Sequence, residues 1–273
     1  MFYLSGHDYP QSAQELESSL LEPLRTLFTF PSGGSKPVRV EGAARFPELD
    51  SIRLDLSGAV LNARRPPPPP VGAGQPRPGV RASHLEILGR PIQVRGAGIN
   101  LELNATDVLF DYDRDRDGCP LLLLAAAESG QVRIEINRGD LEALLLAEAK
   151  AAAATQGVIV ERAALDLVPI DQRSVAIAAR VRAKKLFVHA TVEVKGQLKV
   201  DDDLNAKLSG LSCEGEGIVG GLAGNLIRPY LERFNNAELP LTAVSLGSVH
   251  LHDLRIDAGD SLIVRATFGS HAQ

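Results

Sequence analysis

The strongest constraint on the fold of this chain is a strict alternation of apolar and polar residues within positions 174–200. In the first run, Val175, Ile177 and Val181 fall on one side and Arg180 on the other. Successive side chains of a strand point to opposite faces of a sheet, so a period of two predicts half-buried strands. These runs therefore predict a sheet with one apolar face and one polar face.

The second run repeats the pattern. Leu186, Val188 and Val192 fall on one side, with His189 and Glu193 on the other. Similar short runs occur from Val38 onward, joined by tight polar turns, and this arrangement is typical of antiparallel sheets.

A helix is predicted between these strand-rich regions, over residues 138–154. Asn137 is a suitable N-cap, and Asp140 follows three residues later as in a capping box. Thr155–Gly157 gives a C-terminal stop. Three leucines define the apolar stripe, namely Leu141, Leu144 and Leu145.

Two further helices are predicted. The first spans residues 12–30, where Pro23 predicts a kink or a late start. The last spans residues 217–236, with Leu222 and Leu226 on its apolar stripe. We expect residues 1–37 to form an N-terminal helical segment and residues 38–273 to form a single domain.

The order of helix, strands, helix, strands, helix and two closing strands indicates an α+β fold rather than a βαβ repeat. Residues 64–78 interrupt the strands and contain five consecutive prolines. No sheet interior tolerates such a run. It is interpreted as a loop joining two strands, or alternatively as a ligand for a proline-recognising partner.

Composition excludes several classes of protein. The 273 residues carry a net charge of −5, which argues against general nucleic-acid binding. Two cysteines give no disulfide framework. The first residues do not resemble a signal peptide, and no apolar run is long enough to span a bilayer. We expect a cytoplasmic or peripheral membrane protein, or a periplasmic one if an export signal was removed.

Three short motifs suggest metal or nucleotide chemistry, but each has a simpler interpretation. Residues 113–118 match half of a calcium loop, yet Leu124 occupies the position of the bidentate Glu, so a hairpin turn is favoured over weak calcium binding. Residues 215–220 spell a dinucleotide fingerprint without a βαβ context, which favours close packing. His250 and His252 lack a third metal ligand. We predict no catalytic residue, metal or cofactor.

One basic cluster stands out, consisting of Arg180, Arg182, Lys184 and Lys185. It is interpreted as an exposed strand face. The alternative is contact with anionic lipid headgroups.

Three segments carry a family resemblance. Pro120-Leu121 followed by Gly130–Leu145 (GQVRIEINRGDLEALL), the closing pair Val244–Ile256 and Ser261–Ala266, and the strand pattern of Val38–Leu61 resemble the LmeA-like phospholipid-binding proteins, a bacterial family. The chain departs from the family pattern at Glu142, where Asn is usual, in the insertion at 64–78, and in lacking an export signal.

The resemblance implies a tubular lipid-binding fold. In that fold a highly curved, mostly antiparallel sheet wraps one long helix, and an elongated apolar groove holds acyl chains. The family implies no catalytic residues.

The sequence thus predicts a non-enzymatic protein that binds, or transfers, phospholipid or another acyl-chain ligand. The ligand is expected between helix 138–154 and the inner sheet face, with a peripheral membrane surface as a further candidate partner. The alternative is a structural or adaptor protein of the same fold with a filled core, interacting through strand edges or the proline-rich loop. The lipid and the oligomeric state stay open. The predicted lining residues are Leu141, Leu144, Leu145, Val175, Ile177, Val181, Leu186, Val188, Val192, Leu222 and Leu226.

Overall fold

Most of the described chain is β-strand. The computed structural model describes residues 2–42, 45–62, 72–154, 158–185, 188–201, 205–215, 237–240, 249 and 251–270. Of these residues, 64% lie in strands and 14% in helices. The chain divides into two compact units. Unit 1 comprises Met1–Ile134, Thr242–Asp253 and Arg265–Gln273, and unit 2 comprises Glu135–Leu241 and Leu254–Val264.

Within the described residues the helices are α1 (Ala13–Leu27) and α2 (Arg138–Ala154). The strands, in chain order, are β1 (Phe2–Tyr3), β2 (Phe28–Thr29), β3 (Val38–Gly42), β4 (Glu48–Asp55), β5 (Val60–Leu61), β6 (Arg77–Val94), β7 (Ala97–Arg114), β8 (Pro120–Ala126), β9 (Ser129–Asn137), β10 (Ile159–Asp171), β11 (Ser174–Lys185), β12 (Val188–Val200), β13 (Asn205–Gly215), β14 (Ala237–Pro240), β15 (Leu251–Ala258) and β16 (Ser261–Phe268).

The first sheet follows the order β15-β16-β9-β7-β6-β4-β3, with β8 pairing β7 and β5 pairing β6. Its pairing is mostly antiparallel, but β4 and β5 run parallel to β6. In unit 1 this sheet packs against α1, whose Leu16 and Leu20 are fully buried among residues such as Ile52 and Phe110. An amphipathic helix on one sheet face thus forms the core of unit 1.

Pro23 lies inside α1 and does not end it, because the backbone carbonyl that loses its donor accepts a hydrogen bond from elsewhere in the chain. A proline cannot donate to the carbonyl four residues before it. That carbonyl, of Ser19, accepts the backbone N–H of Ser5 at 2.9 Å. The N-cap is as expected, with Ser12 Oγ accepting the N–H of Glu15 at 3.2 Å.

Unit 2 contains the second sheet, in which β10, β11, β12, β13 and β14 are consecutive antiparallel neighbours. The predicted N-cap of α2 is confirmed, since Asp140 donates its N–H to Asn137 Oδ1 at 2.9 Å. The chain then reverses, so that Leu165 of β10 donates its backbone N–H to Glu142 Oε1 at 2.9 Å. Helix α2 therefore lies beside the outermost strand of this sheet.

The expected fold class, an α+β fold in which a curved sheet wraps one long helix, is wrong. The described structure is mainly β, and its helices have 15 and 17 residues. Among the described elements, α2 makes extensive contact only with β10, so no sheet encloses it. The strands are also longer than the sequence pattern indicated. The separate runs Val80–Leu88 and Ile92–Val94 belong to one strand, β6, with a bulge between Gly89 and Ile92.

The predicted third helix, residues 217–236, lies outside the described residues. Neither described helix is both long enough and apolar enough to cross a membrane.

The two helices differ in burial, and this difference predicts different sensitivity to truncation. Leu20→Ala should lower the free energy of unfolding by about 2–5 kcal/mol, because a fully buried leucine leaves a cavity. Leu145 is half-buried, so Leu145→Ala should cost roughly half of that or less. Urea unfolding followed by far-ultraviolet circular dichroism measures both. Equal losses of unfolding free energy in the two variants would show that α2 is packed as tightly as α1.

Candidate functional site

The register of strands β10–β13 sorts the side chains of unit 2 onto two faces. Residues directly opposite one another in antiparallel strands share a face. Ala179 lies opposite Leu165 on one side and Val194 on the other, and Val194 lies opposite Cys213. We term the face that contains them the apolar face. Its described side chains are Val160, Ala163, Leu165, Leu167, Pro169, Val175, Ile177, Ala179, Val181, Ala183, Ala190, Val192, Val194, Leu198, Val200, Leu208 and Cys213.

The opposite face, termed the polar face, carries a network of ion pairs within and between strands. Arg180 contacts Asp166 at 3.6 Å and Glu193 at 2.8 Å. Lys195 contacts Glu193 at 2.9 Å and Glu214 at 3.2 Å. Apart from Glu193, whose side chain is 19% exposed, these groups are largely solvated, so each pair contributes little to stability. Their effect is to keep this face charged and wet while the other face stays apolar.

The same contacts set the ionisation of the central pair. The hydrogen bond from Lys195, followed by that from Arg180, holds the pKa of Glu193 below its ordinary value. The hydrogen bonds to Glu193 and Glu214 raise the pKa of Lys195. Both groups are therefore charged at neutral pH.

One end of the apolar face is closed. Val175 and Val200 are 1% and 2% exposed. At this end the backbone N–H of Ile256, itself buried, donates to the carbonyl of Gln172 at 2.7 Å. The closing strand β15 thus seals the end of the sheet at the β10–β11 turn.

The middle of the apolar face is only partly covered. Its side chains are half-buried in the folded chain, namely Ile177, Ala179, Val181, Ala190 and Val194. A structural core would bury such residues fully, because exposed apolar area costs free energy of about 25 cal/mol per Å². The partial exposure marks this face as the candidate ligand site.

Four of the predicted lining residues lie together on this face. Val175, Ile177 and Val181 come from β11, and Val192 lies directly opposite Val181 in β12. Whether they contact lipid stays a prediction. Val188 belongs to β12, but its side chain is outside the description, as are Leu186, Leu222 and Leu226 altogether.

The predicted leucines of α2 are not brought against β11 and β12. Leu141, Leu144 and Leu145 are half-buried on a helix whose extensive contact is with β10. The expected arrangement, with α2 enclosed by the strands of the site, is therefore absent from the described part of the chain.

The predicted basic cluster lies on the polar face. Arg180 has the acidic partners given above, and Arg182 contacts Glu161 at 3.4 Å. Lys184 lies opposite His189, where the β11–β12 hairpin ends. The backbone of Lys185 is in β11, and its side chain is not described. Arg180, Arg182 and Lys184 thus all lie on the face opposite the apolar face.

Sequence reasoning missed the contribution of β10. Ala163 and Leu167 are both 7% exposed and complete the apolar face. Apolar and polar residues alternate within 158–168, but a bulge between Val160 and Arg162 changes which residues of the run face the apolar side. Cys213 and Leu208 were also missed, because the run in β13 is rich in serine and glycine.

Residues 113–118 form the end of β7 and a hairpin turn. Asp113 is buried, and its Oδ1 accepts the N–H of Gly74 at 3.1 Å. Asp115 Oδ1 accepts the N–H groups of Asp117 and Cys119 at 2.9 and 2.8 Å. These carboxylates serve the backbone, and the described residues hold no cluster of three metal-ligating side chains.

The remaining sequence motifs fall mostly outside the description. This applies to His250 and to residues 216–220 of the glycine motif. His252 lies in β15, where its carbonyl accepts the Thr267 hydroxyl at 3.3 Å.

Unit 1 has a small pocket of about 350 Å³ beside the start of α1. Asp8, Tyr9 and Glu15 line it together with hydroxyl and amide groups. Tyr9 stacks on Tyr112 at 4.6 Å, and burial raises the pKa of Tyr112 to about 12. The carboxylates of Asp8 and Glu15 in its lining make this pocket unsuited to an acyl chain.

The fold and site together define a mainly β protein with a two-faced antiparallel sheet. Comparison with protein families, with characterised proteins and with solved structures finds no match. The resemblance to the LmeA-like family therefore stays a hypothesis.

The polar network predicts a measurable pH response. Lys195→Met should move the pKa of Glu193 up toward its ordinary value, because the leading stabilising hydrogen bond is lost. Carboxyl-carbon NMR titration measures the midpoint. Because this pKa is depressed, the contribution of Glu193 to stability is present above the ordinary carboxyl pKa and is lost as pH falls through the folded value.

Lys199→Met is the matched control, since Lys199 is an exposed lysine of the same strand, opposite Ser174. It should leave the Glu193 midpoint unchanged. An equal shift in both variants would mean that the midpoint reports net charge rather than this network.

Proposed function

We propose that the protein binds an acyl-chain lipid, such as a phospholipid or a fatty acid, on the apolar face of strands β10–β13. The observation that carries the proposal is the half-buried middle of that face, from Ile177 to Val194. An acyl chain laid there would remove apolar surface from water on both partners. Each buried methylene contributes about 0.8 kcal/mol, so a long chain can bind without any polar contact.

The dimensions support a lipid ligand. From Val175 to Ala183 the face runs for about 27 Å at roughly 3.4 Å per residue. The acyl chains of one leaflet span about 15 Å, half of a hydrocarbon core of about 30 Å. The face is therefore long enough for a whole chain.

The two ends of the face suggest an orientation for the ligand. The end near Val175 is closed, which suits the methyl end of an acyl chain. At the other end, by the β11–β12 hairpin, Lys184 and His189 lie opposite each other on the polar face, and His189 contacts Glu161 at 3.7 Å. Lys184 would favour an anionic headgroup that extends past this end of the apolar face by about 1 kcal/mol.

The proposed activity is binding without chemistry. The described side chains of the apolar face are aliphatic apart from the Cys213 thiol. The alternative is a structural or adaptor protein whose apolar face is only packing. The incomplete burial of the face favours binding, and ligand uptake separates the two.

A charge placed on either face of β11 gives a matched test. Ala178 and Ala179 are adjacent and half-buried, and they lie on the polar and apolar faces respectively. Ala179→Glu should weaken uptake of a fluorescent long-chain fatty acid by at least about tenfold, because a carboxylate would be desolvated against the chain. Ala178→Glu should leave affinity within about threefold, a change of under 1 kcal/mol.

Circular dichroism checks that both variants fold. Equal affinity in the two variants would favour the structural alternative. So would a failure of the unaltered protein to take up the fatty acid, if native mass spectrometry also shows no bound lipid.

The two cysteines provide a second test with an internal control. Cys213 is half-buried on the apolar face, and Cys119 is exposed in the turn of unit 1. A saturating long-chain fatty acid should slow the reaction of Cys213 with a maleimide by roughly tenfold, since a covered thiol cannot be reached. The rate at Cys119 should not change. Mass spectrometry of peptides distinguishes the two sites, and equal rates at Cys213 with and without ligand would place any bound lipid elsewhere.

A further inference from the structure

Helix α2 is attached to unit 2 differently from the way α1 is attached to unit 1. Leu16 and Leu20 anchor α1 at 0% and 1% exposure. None of the four leucines of α2 is fully buried; they are Leu141, Leu144, Leu145 and Leu146. Segments with few buried apolar groups open locally before the rest of a domain.

The N-terminus of α2 is fixed by backbone-directed contacts. Arg138 donates its backbone N–H to the carbonyl of Asp260 at 2.9 Å, and its guanidinium donates to the carbonyl of Gly259 at 2.9 Å. The Asn137 cap closes the first turn. These contacts hold the start of the helix to the β15–β16 turn, all within unit 2.

Among the described residues, Glu142 ties the body of α2 to the sheet. Glu142 Oε1 accepts the backbone N–H of Leu165 on the outer edge of β10 at 2.9 Å. Unit 1 has the same device, in which Glu17 Oε2 accepts the N–H of Val40 at 3.1 Å. There, however, the buried leucines of α1 hold the helix as well.

Leu165 also belongs to the apolar face, opposite Ala179. The strand that α2 covers is therefore the outermost strand of the proposed ligand site. Helix α2 lies beside this strand, which also carries Ala163 and Leu167, both 7% exposed.

We infer that α2 is a hinged strap on the outer edge of β10, fixed at its N-terminus by Arg138 and latched by Glu142, and that its release gives an acyl chain access to the apolar face. The access step rests on the proposed lipid binding. The hinge and the latch do not, because they follow from contacts present without ligand.

Hydrogen exchange tests the strap itself. In Glu142→Ala the amide of Leu165 should exchange at least about tenfold faster, because its charge-assisted hydrogen bond is lost. Alanine preserves the helix, so the change is confined to the latch. Glu142→Gln keeps a carbonyl acceptor, and exchange at Leu165 should stay within about threefold of that in the unaltered protein.

Two amides serve as references in the same experiment. The amide of Ala179, in the interior strand β11, and that of Val40 in unit 1 should keep their rates in all variants. An unchanged Leu165 rate in Glu142→Ala would overturn the latch. Acceleration of Leu165 and Ala179 together would overturn the strap, because it would mean that the sheet itself unfolds.

Stopped-flow uptake of a fluorescent fatty acid tests the access step. Glu142→Ala should raise the association rate several-fold, and Glu142→Gln should not. Equal rates in both variants would overturn the gating role while the exchange result still reports on the latch. Failure of uptake in every variant, with the exchange pattern as expected, would refute the proposed lipid binding and leave the strap standing.

Discussion

The cross-strand register of β10–β13 is the constraint on which the rest of unit 2 depends. A slip of one residue between neighbouring strands would bring Val and Ile residues onto the face that carries Arg180 and Glu193. Two ion pairs oppose that slip, because they join neighbouring strands in the observed register: Arg180 with Glu193 across β11 and β12, and Lys195 with Glu214 across β12 and β13. The polar face thereby maintains an apolar face that is not sealed by packing alone.

Local pattern in the sequence was sufficient for part of this structure. The bounds of α2 and its Asn137 cap follow from helical signals, and the grouping of Val175 and Ile177 follows from the period of two. The pairing of strands that are far apart in the chain does not follow from such local patterns. The contribution of β15 to the closed end depends on a hydrogen bond between Ile256 and Gln172, 84 positions apart in the chain, which no local pattern encodes.

The sequence suggested that α2 would be the central element, and its composition explains why it is not. Leu141, Leu144, Leu145 and Leu146 spread over more than half of the helix circumference at about 100° per residue. No single neighbouring surface can bury such a set, so each leucine remains half-buried. Helical spacing grouped Leu141, Leu144 and Leu145 on one stripe as the wall of a groove, but it left out Leu146, about 100° further round the helix.

The contact between Ser5 and Ser19 has a practical consequence for handling the protein. Pro23 has no backbone N–H, so the Ser19 carbonyl loses its helical donor. The backbone N–H of Ser5, ahead of α1, donates to that carbonyl instead. Trimming the chain to the start of α1 would leave that carbonyl without its partner in the middle of a helix that forms the core of unit 1. A fusion or affinity tag is therefore better attached ahead of Phe2 than in place of these residues.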